Sequence, residues 1–183
     1  MTETVAEILH AYRRGALKPE DVVARSFGRI RHHDDPAIFI ALRDEAEVVA
    51  EAKALARDGD MALPLYGIPV AVKDNIDVKG LPTTAACPAF GYRPGRDATS
   101  VAKLRQAGAL IFGKTNLDQF ATGLVGVRTP YGIAHNLFDD TLIPGGSSTG
   151  SALAVAAGFT PLALGTDTAG SGRVPAAFSN IVG

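Results

Sequence analysis

The sequence predicts an α/β fold, with a mostly parallel central sheet flanked by helices behind a helical N-terminal segment. Three observations carry this. After residue 60, short apolar runs alternate with helical stretches, the pattern of strand–helix–strand units. Before it, apolar residues recur at the spacing of one helix face. The 183 residues are 46% hydrophobic and 20% charged, enough apolar surface for one core and unlike a disordered chain.

The elements follow in order. Thr2 or Thr4 caps a first helix that carries Val5, Ile8, Leu9 and Tyr12 on one face. Pro19 opens a second helix, with Glu20 and Asp21 beside its positive end and Val22, Val23, Phe27 and Ile30 as its buried stripe. The run 32–36, His-His-Asp-Asp-Pro, ends it. Residues 37–42 form a short apolar strand, and 44–57 a third helix with Asp44 as its cap and Asp58-Gly59 as its stop. Then come a buried strand over 68–72, a helix over 99–107 begun by Thr99 or Ser100, and a buried strand over 109–112. A small-residue helix over 148–157, a strand over 161–165 and a helix over 174–178 complete the pattern. We divide the chain into a helical segment, 1–60, packed on an α/β core, 61–183, within one domain. The apolar end at Asn180-Ile181-Val182-Gly183 reads as the middle of a fold, so the expectation is the N-terminal portion of a longer domain.

Charge and cysteine content narrow the function classes. Eighteen basic and nineteen acidic residues give a net charge of −1, leaving no basic surplus to drive nucleic-acid or membrane-surface binding. A single cysteine, Cys87, cannot form an internal disulfide and fits a reducing compartment. No apolar run reaches the ~18 residues of a membrane span, and the first residues lack a signal-peptide pattern. The expected setting is cytoplasmic. No His/Cys/Asp cluster has metal-ligand spacing, so neither metal nor cofactor is expected.

One motif misleads. Residues 108–115, ending Gly113-Lys114-Thr115, match the phosphate-loop pattern letter for letter. A phosphate loop needs a flexible arc whose N–H groups point at the anion, and here all four intervening residues are apolar and read as the strand itself. The nucleotide-binding reading stays as a rival from another class, as does a catalytically inert fragment.

Three other segments carry chemistry. Lys73 ends the apolar run Val70-Ala71-Val72, where desolvation favours its neutral amine; alone it reads as a surface lysine at a strand end. Gly145-Gly146-Ser147-Ser148-Thr149-Gly150-Ser151 is a hydroxyl-dense loop leading into a packable helix; alone it reads as a linker or an anion-binding turn. Gly165-Thr166-Asp167-Thr168-Ala169-Gly170-Ser171-Gly172-Arg173 puts Ser171 on a tight turn whose N–H groups converge; alone Ser171 reads equally as a cap or a nucleophile. A serine nucleophile needs a base. The four histidines, His10, His32, His33 and His135, have no convincing acidic partner, and Lys73 acting through a second hydroxyl is the better base.

Together, in this order, the three segments resemble the amidase signature family of serine hydrolases, and the 24-residue separation of Ser147 and Ser171 fits as well. The resemblance implies Ser171 as nucleophile, Ser147 as a bridging serine after a cis peptide bond from Gly146, and Lys73 as neutral base. It implies an oxyanion hole from the backbone of Thr168, Ala169, Gly170 and Ser171. Two positions depart from many members: Ala169-Gly170 precedes the nucleophile where two glycines are common, and Gly172 follows it where a bulky apolar residue is common. Residues 168–175, and the run from Thr115-Asn116-Leu117-Asp118-Gln119 through Gly126 and Arg128 to Pro130-Tyr131-Gly132, resemble the allophanate hydrolase branch. That implies a small-molecule amide substrate, allophanate (urea carboxylate), in preference to the glutamine amide of the amidotransferase branch. It also implies a homodimer in the full-length protein, and substrate-carboxylate contacts beyond Gly183. Arg173 is read as structural, paired with Asp167 or a helix end. Cys87 and Tyr131 have no assigned role.

Overall fold

The computed structural model describes residues 3–183. The first helix, α1 (Val5–Arg13), begins as its sequence demands: Thr4 accepts from the Glu7 N–H, and the Glu7 carboxylate reaches back to the Thr4 N–H at 2.7 Å. Thr2, the other cap considered, lies outside the described residues. α2 (Pro19–His33) starts on Pro19, where a missing N–H costs nothing, and stops at Asp34 in the left-handed region, φ 54. α3 (Glu45–Asp58) is capped by Asp44, which accepts from Glu47 N at 3.1 Å.

Four strands form one sheet in the order β1-β3-β2-β4: β1 (Phe39–Leu42), β2 (Pro69–Lys73), β3 (Leu110–Thr115) and β4 (Leu162–Leu164). β3, β2 and β4 run parallel, and β1 lies antiparallel on the β3 edge. This is the mostly parallel, helix-flanked sheet expected. Along β2 the side chains alternate, Val70 and Val72 to one face, Ala71 and Lys73 to the other. Val70, Val72 and Ile111 pack with Ile8, Tyr12 and Val22, so the helical start and the sheet share a core cluster. Ala71 packs with Leu153, Ala154 and Phe159 of the segment that follows the serine-rich loop. Leu110 and Phe112 meet α2 and α3 through Val23, Phe27, Val48 and Ala52.

Several boundaries differ from the sequence reading. β3 continues three residues past 112, through Gly113-Lys114-Thr115, because β1 and β2 flank it there; a Cβ at Gly113 would collide with the Ala41 carbonyl. β1 starts at Phe39, since Ala37 and Ile38 are buried but unpaired in the ladder. α4 (Thr99–Gln106) is not capped by Thr99 or Ser100: the cap position is Ala98, whose N–H goes to the Asp77 carbonyl at 2.9 Å and which has no side-chain bond to give. α5 (Thr149–Ala156) is likewise uncapped by a side chain, the Ser148 hydroxyl pointing instead to the Thr166 carbonyl at 3.1 Å. α6 (Arg173–Phe178) closes the described order. α5 sits tight on the sheet through Gly150, where a Cβ would meet Ile38 O and lie 2.7 Å from Asn116 N.

Candidate active site

The site lies where the ends of β2 and β4 meet the loop before α5. Lys73, the last residue of β2, is wholly buried. Its Nζ lies 2.7 Å from Ser147 Oγ and 2.7 Å from Thr166 Oγ1. Asn75 Nδ2 donates to the same Thr166 oxygen at 3.2 Å. Burial pulls the Lys73 amine down from its ordinary value to about 8, against the upward pull of the Asp118 and Asp167 carboxylates. In the neutral form one N–H serves Thr166 and the lone pair is free to accept from Ser147.

Ser147 is also wholly buried, and the Gly146–Ser147 peptide bond is cis. Its loop is held from outside. Gly145 N donates to Val125 O at 3.2 Å, Gly146 N to Leu124 O at 2.9 Å, and Asp118 N to Ser147 O at 3.2 Å. Gly146 has no room for a side chain, because Asp118 occupies the position of its Cβ. The buried Asp118 carboxylate accepts from Gly126 N and Arg128 N, each at 2.9 Å. Asn116 spans the next loop, donating to the Ala37 and Gly132 carbonyls at 2.9 and 3.0 Å and accepting from Thr129 Oγ1 at 2.7 Å. The polar run 115–132 is therefore a scaffold that clamps the serine loop, a role the sequence did not disclose.

Ser171 is buried on the neighbouring turn, and its carbonyl accepts from Ser148 N at 3.0 Å. Among the described residues its Oγ has no hydrogen-bond partner, so Lys73 and Ser147 are joined directly while Ser171 is joined to them through backbone. The turn is built around Asp167. This carboxylate accepts from Gly170 N at 2.7 Å and Arg173 N at 3.1 Å, and takes a bidentate pair from the Arg173 guanidinium at 2.8 and 3.0 Å. These bonds hold the Asp167 carboxyl well below the usual carboxylate range, the Arg173 side chain contributing most. Arg173 thus pairs with Asp167, as its structural reading expected. Gly170 takes φ +118, which favours glycine. Of the four backbone groups named for the oxyanion hole, Gly170 N–H is committed to Asp167, and those of Thr168, Ala169 and Ser171 have no acceptor among the described residues.

Thr166 was missed. Its only sequence signal is a hydroxyl just beyond a strand end that faces a buried amine in need of acceptors. The phosphate-loop match fails on geometry: Gly113-Lys114-Thr115 is strand, and Lys114 is fully buried with its amine 2.9 Å from Asp74 Oδ1. Cys87 is partly buried and unpaired, and joins no group of three or more His, Cys, Asp or Glu side chains among the described residues. No helix among them is long and apolar enough to cross a membrane.

Comparison with known proteins adds a family to this geometry. Residues 21–183 match the family described as Amidase. The chain is 60% identical over 151 residues to urea amidolyase of Lachancea kluyveri, covering 82% of this chain and 8% of that protein. It is 45% identical over 186 residues to a glutamyl-tRNA(Gln) amidotransferase subunit of Symbiobacterium thermophilum, covering 98% of this chain and 38% of that one. The solved allophanate hydrolase of Kluyveromyces lactis superposes with TM-score 0.82 at 47% identity, over 95% of this chain and 29% of that structure. The chain thus spans a minor part of each relative's length. With a profile match over most of its length and a matching fold, this chain belongs to the Amidase family.

Proposed function

We propose that this chain carries the catalytic serines and lysine of a serine amidohydrolase whose substrate is allophanate. The observation that carries the reading is the buried Lys73–Ser147 hydrogen bond, 2.7 Å long, on an amine whose burial favours its neutral form. In this reading Ser171 Oγ attacks the amide carbonyl carbon. Its proton passes to Ser147 Oγ as the Ser147 proton passes to Lys73 Nζ. Hydrogen bonds of such relays commonly tighten only around substrate, which accounts for the unpartnered Ser171 hydroxyl. The developing oxyanion is met by the N–H groups of Thr168, Ala169 and Ser171, each such donor typically worth ~3 kcal/mol. Gly170 supplies the turn. Lys73 returns its proton through Ser147 to the leaving nitrogen, the C–N bond breaks and ammonia departs. Water, deprotonated by the same relay, then attacks the acyl carbon and regenerates Ser171.

Allophanate is favoured over glutamine because the relatives named urea amidolyase reach 60 and 64% identity, whereas those named as glutamyl-tRNA(Gln) amidotransferase subunits range from 43 to 51%. In the same reading the enzyme is a cytoplasmic homodimer, with mass in solution measured by light scattering as the check on assembly. The test of function is ammonia release from allophanate, malonamide and glutamine by the gene product that carries this chain. Allophanate is expected to give the highest kcat/KM. Ser171→Ala and Lys73→Ala are each expected to abolish most of it, with Ser147→Ala close behind, and their effects to be non-additive because the three act as a unit. Ammonia release by Ser171→Ala at the wild-type rate overturns the reading.

A further inference from the structure

A second buried lysine sits one strand away from the first. Lys114 and Asp74 are both wholly buried and form an ion pair at 2.9 Å. Lys114 Nζ donates its hydrogen bonds to Thr83 Oγ1 at 3.0 Å, the Pro82 carbonyl at 3.1 Å and the Asp74 carbonyl at 3.4 Å. The other Asp74 oxygen accepts both the backbone N–H and the hydroxyl of Thr84. Asp74 directly follows Lys73, and its own N–H is fixed to Thr115 O at 3.1 Å. One charge pair therefore staples the end of β2, the end of β3 and the turn at 82–86.

That turn in turn reaches the serine loop. Ala85 and Ala86 are consecutive alanines at φ 50 and 57, in the left-handed region that non-glycine residues seldom occupy. Their carbonyls are taken by Phe120 N at 2.9 Å and Gln119 Nε2 at 3.0 Å. The same short segment contains Asp118, whose N–H holds the Ser147 carbonyl at 3.2 Å. From Lys114–Asp74, one continuous set of bonds arrives at Lys73 on one side and Ser147 on the other.

We propose that Lys114 and Asp74 are positioning residues for the reaction, setting the approach of Lys73 Nζ to Ser147 Oγ while touching no substrate. A buried ion pair is weak evidence for stability, since apolar replacement is often neutral. Its placement between the two catalytic elements gives it a different use. The proposal rests on the lysine-base reading above. The carboxylates facing Lys73 are Asp118 and Asp167, and those facing Lys114 are Asp74 and Asp77. Loosening the pair admits water to Lys73 and moves its amine back toward the ordinary lysine value.

The experiment compares wild type, Lys73→Ala and the charge-balanced double variant Asp74→Asn with Lys114→Met, in the gene product carrying this chain. Melting, kcat, KM and the pH dependence of kcat/KM are measured. The double variant is expected to fold, to keep KM within twofold, to lose on the order of a hundredfold in kcat, as misplacement of reacting groups by an ångström does, and to show the rise of its pH profile shifted upward. A merely structural role lowers the yield of active enzyme without moving that midpoint. A folded double variant with wild-type kcat and midpoint overturns the proposal. If it does not fold, Thr84→Val, which removes one hydroxyl from Asp74, carries the test: a smaller kcat loss with the same upward shift supports positioning, and an unchanged kcat and midpoint overturn it. Wild-type activity in Lys73→Ala would instead indict the lysine-base reading itself.

Discussion

Acidification is the perturbation that acts most selectively on the proposed relay. With an ordinary value near 10.5, a lysine at pH 7 is neutral about 3 times in 10,000; held at about 8, as burial holds Lys73, it is neutral about one time in ten. Burial thus enriches the competent base roughly 300-fold at neutral pH. Between pH 8 and pH 6 the neutral fraction falls from half to about one in a hundred, so kcat/KM for ammonia release is expected to fall about fifty-fold, and to level off above pH 8. The same group leaves a mark on stability. The native state sheds this proton near 8 and the unfolded chain keeps it to about 10.5, so between those values the unfolded state binds more protons and stability rises with pH. The gain is on the order of 3 kcal/mol across that window, and below pH 8 the full cost of burying the charge is present. Lys73→Met is expected to abolish that rise. Rate profiles recorded by coupled ammonia detection, alongside melting curves over pH 6 to 11, check both. A rate that stays flat from pH 8 to pH 6, or that rises only near 10.5, refutes a desolvated lysine base.

Two further predictions test the scaffold. Gly150→Ala pushes a methyl against backbone at Ile38 and Asn116 and is expected to cost about 3 kcal/mol, a drop of roughly 6 to 12 °C in Tm, whereas Gly95→Ala, with nothing within 4 Å, is expected to be near neutral. Arg173→Ala releases the Asp167 carboxyl from its depressed state. Whatever stability the pair contributes is present above about pH 4, the ordinary aspartate range, and lost as the folded carboxyl protonates at lower pH. The Tm difference between wild type and Arg173→Ala, recorded from pH 7 to pH 2, is accordingly expected to shrink below pH 4.

Local chemistry made much of this architecture legible. Thr4 (one of the two caps considered), Pro19 at a helix start and the apolar run at 70–72 act over a few residues, and each formed the kind of element read there. The extension of β3 through Lys114 was hidden because only the flanking β1 and β2, and a buried partner 40 residues away in Asp74, make a strand of it. The failed cap at Thr99 or Ser100 has a similar origin: a long-range bond from Ala98 N to the Asp77 carbonyl decides where α4 begins. Motif order singled out Lys73 and Ser147, which the fold brings to 2.7 Å, but not Thr166, since a hydroxyl accepting from a buried amine 93 residues away leaves no local pattern. The glycines and polar residues of 115–132 drew notice as a resemblance; their physical reason, the Asp118 N–H bond to the Ser147 carbonyl and the Asn116 bonds that brace the 129–132 loop against Ala37, exists only in three dimensions.

The sharpest test of the central claim is covalent labelling. The gene product carrying this chain is treated with a fluorophosphonate, the adduct is located by peptide mass spectrometry, and its rate of formation is followed by intact mass. A single adduct on Ser171 is expected, forming on the order of a hundredfold or more slowly in Lys73→Ala. An adduct on another residue, or labelling of Lys73→Ala at the wild-type rate, contradicts that claim.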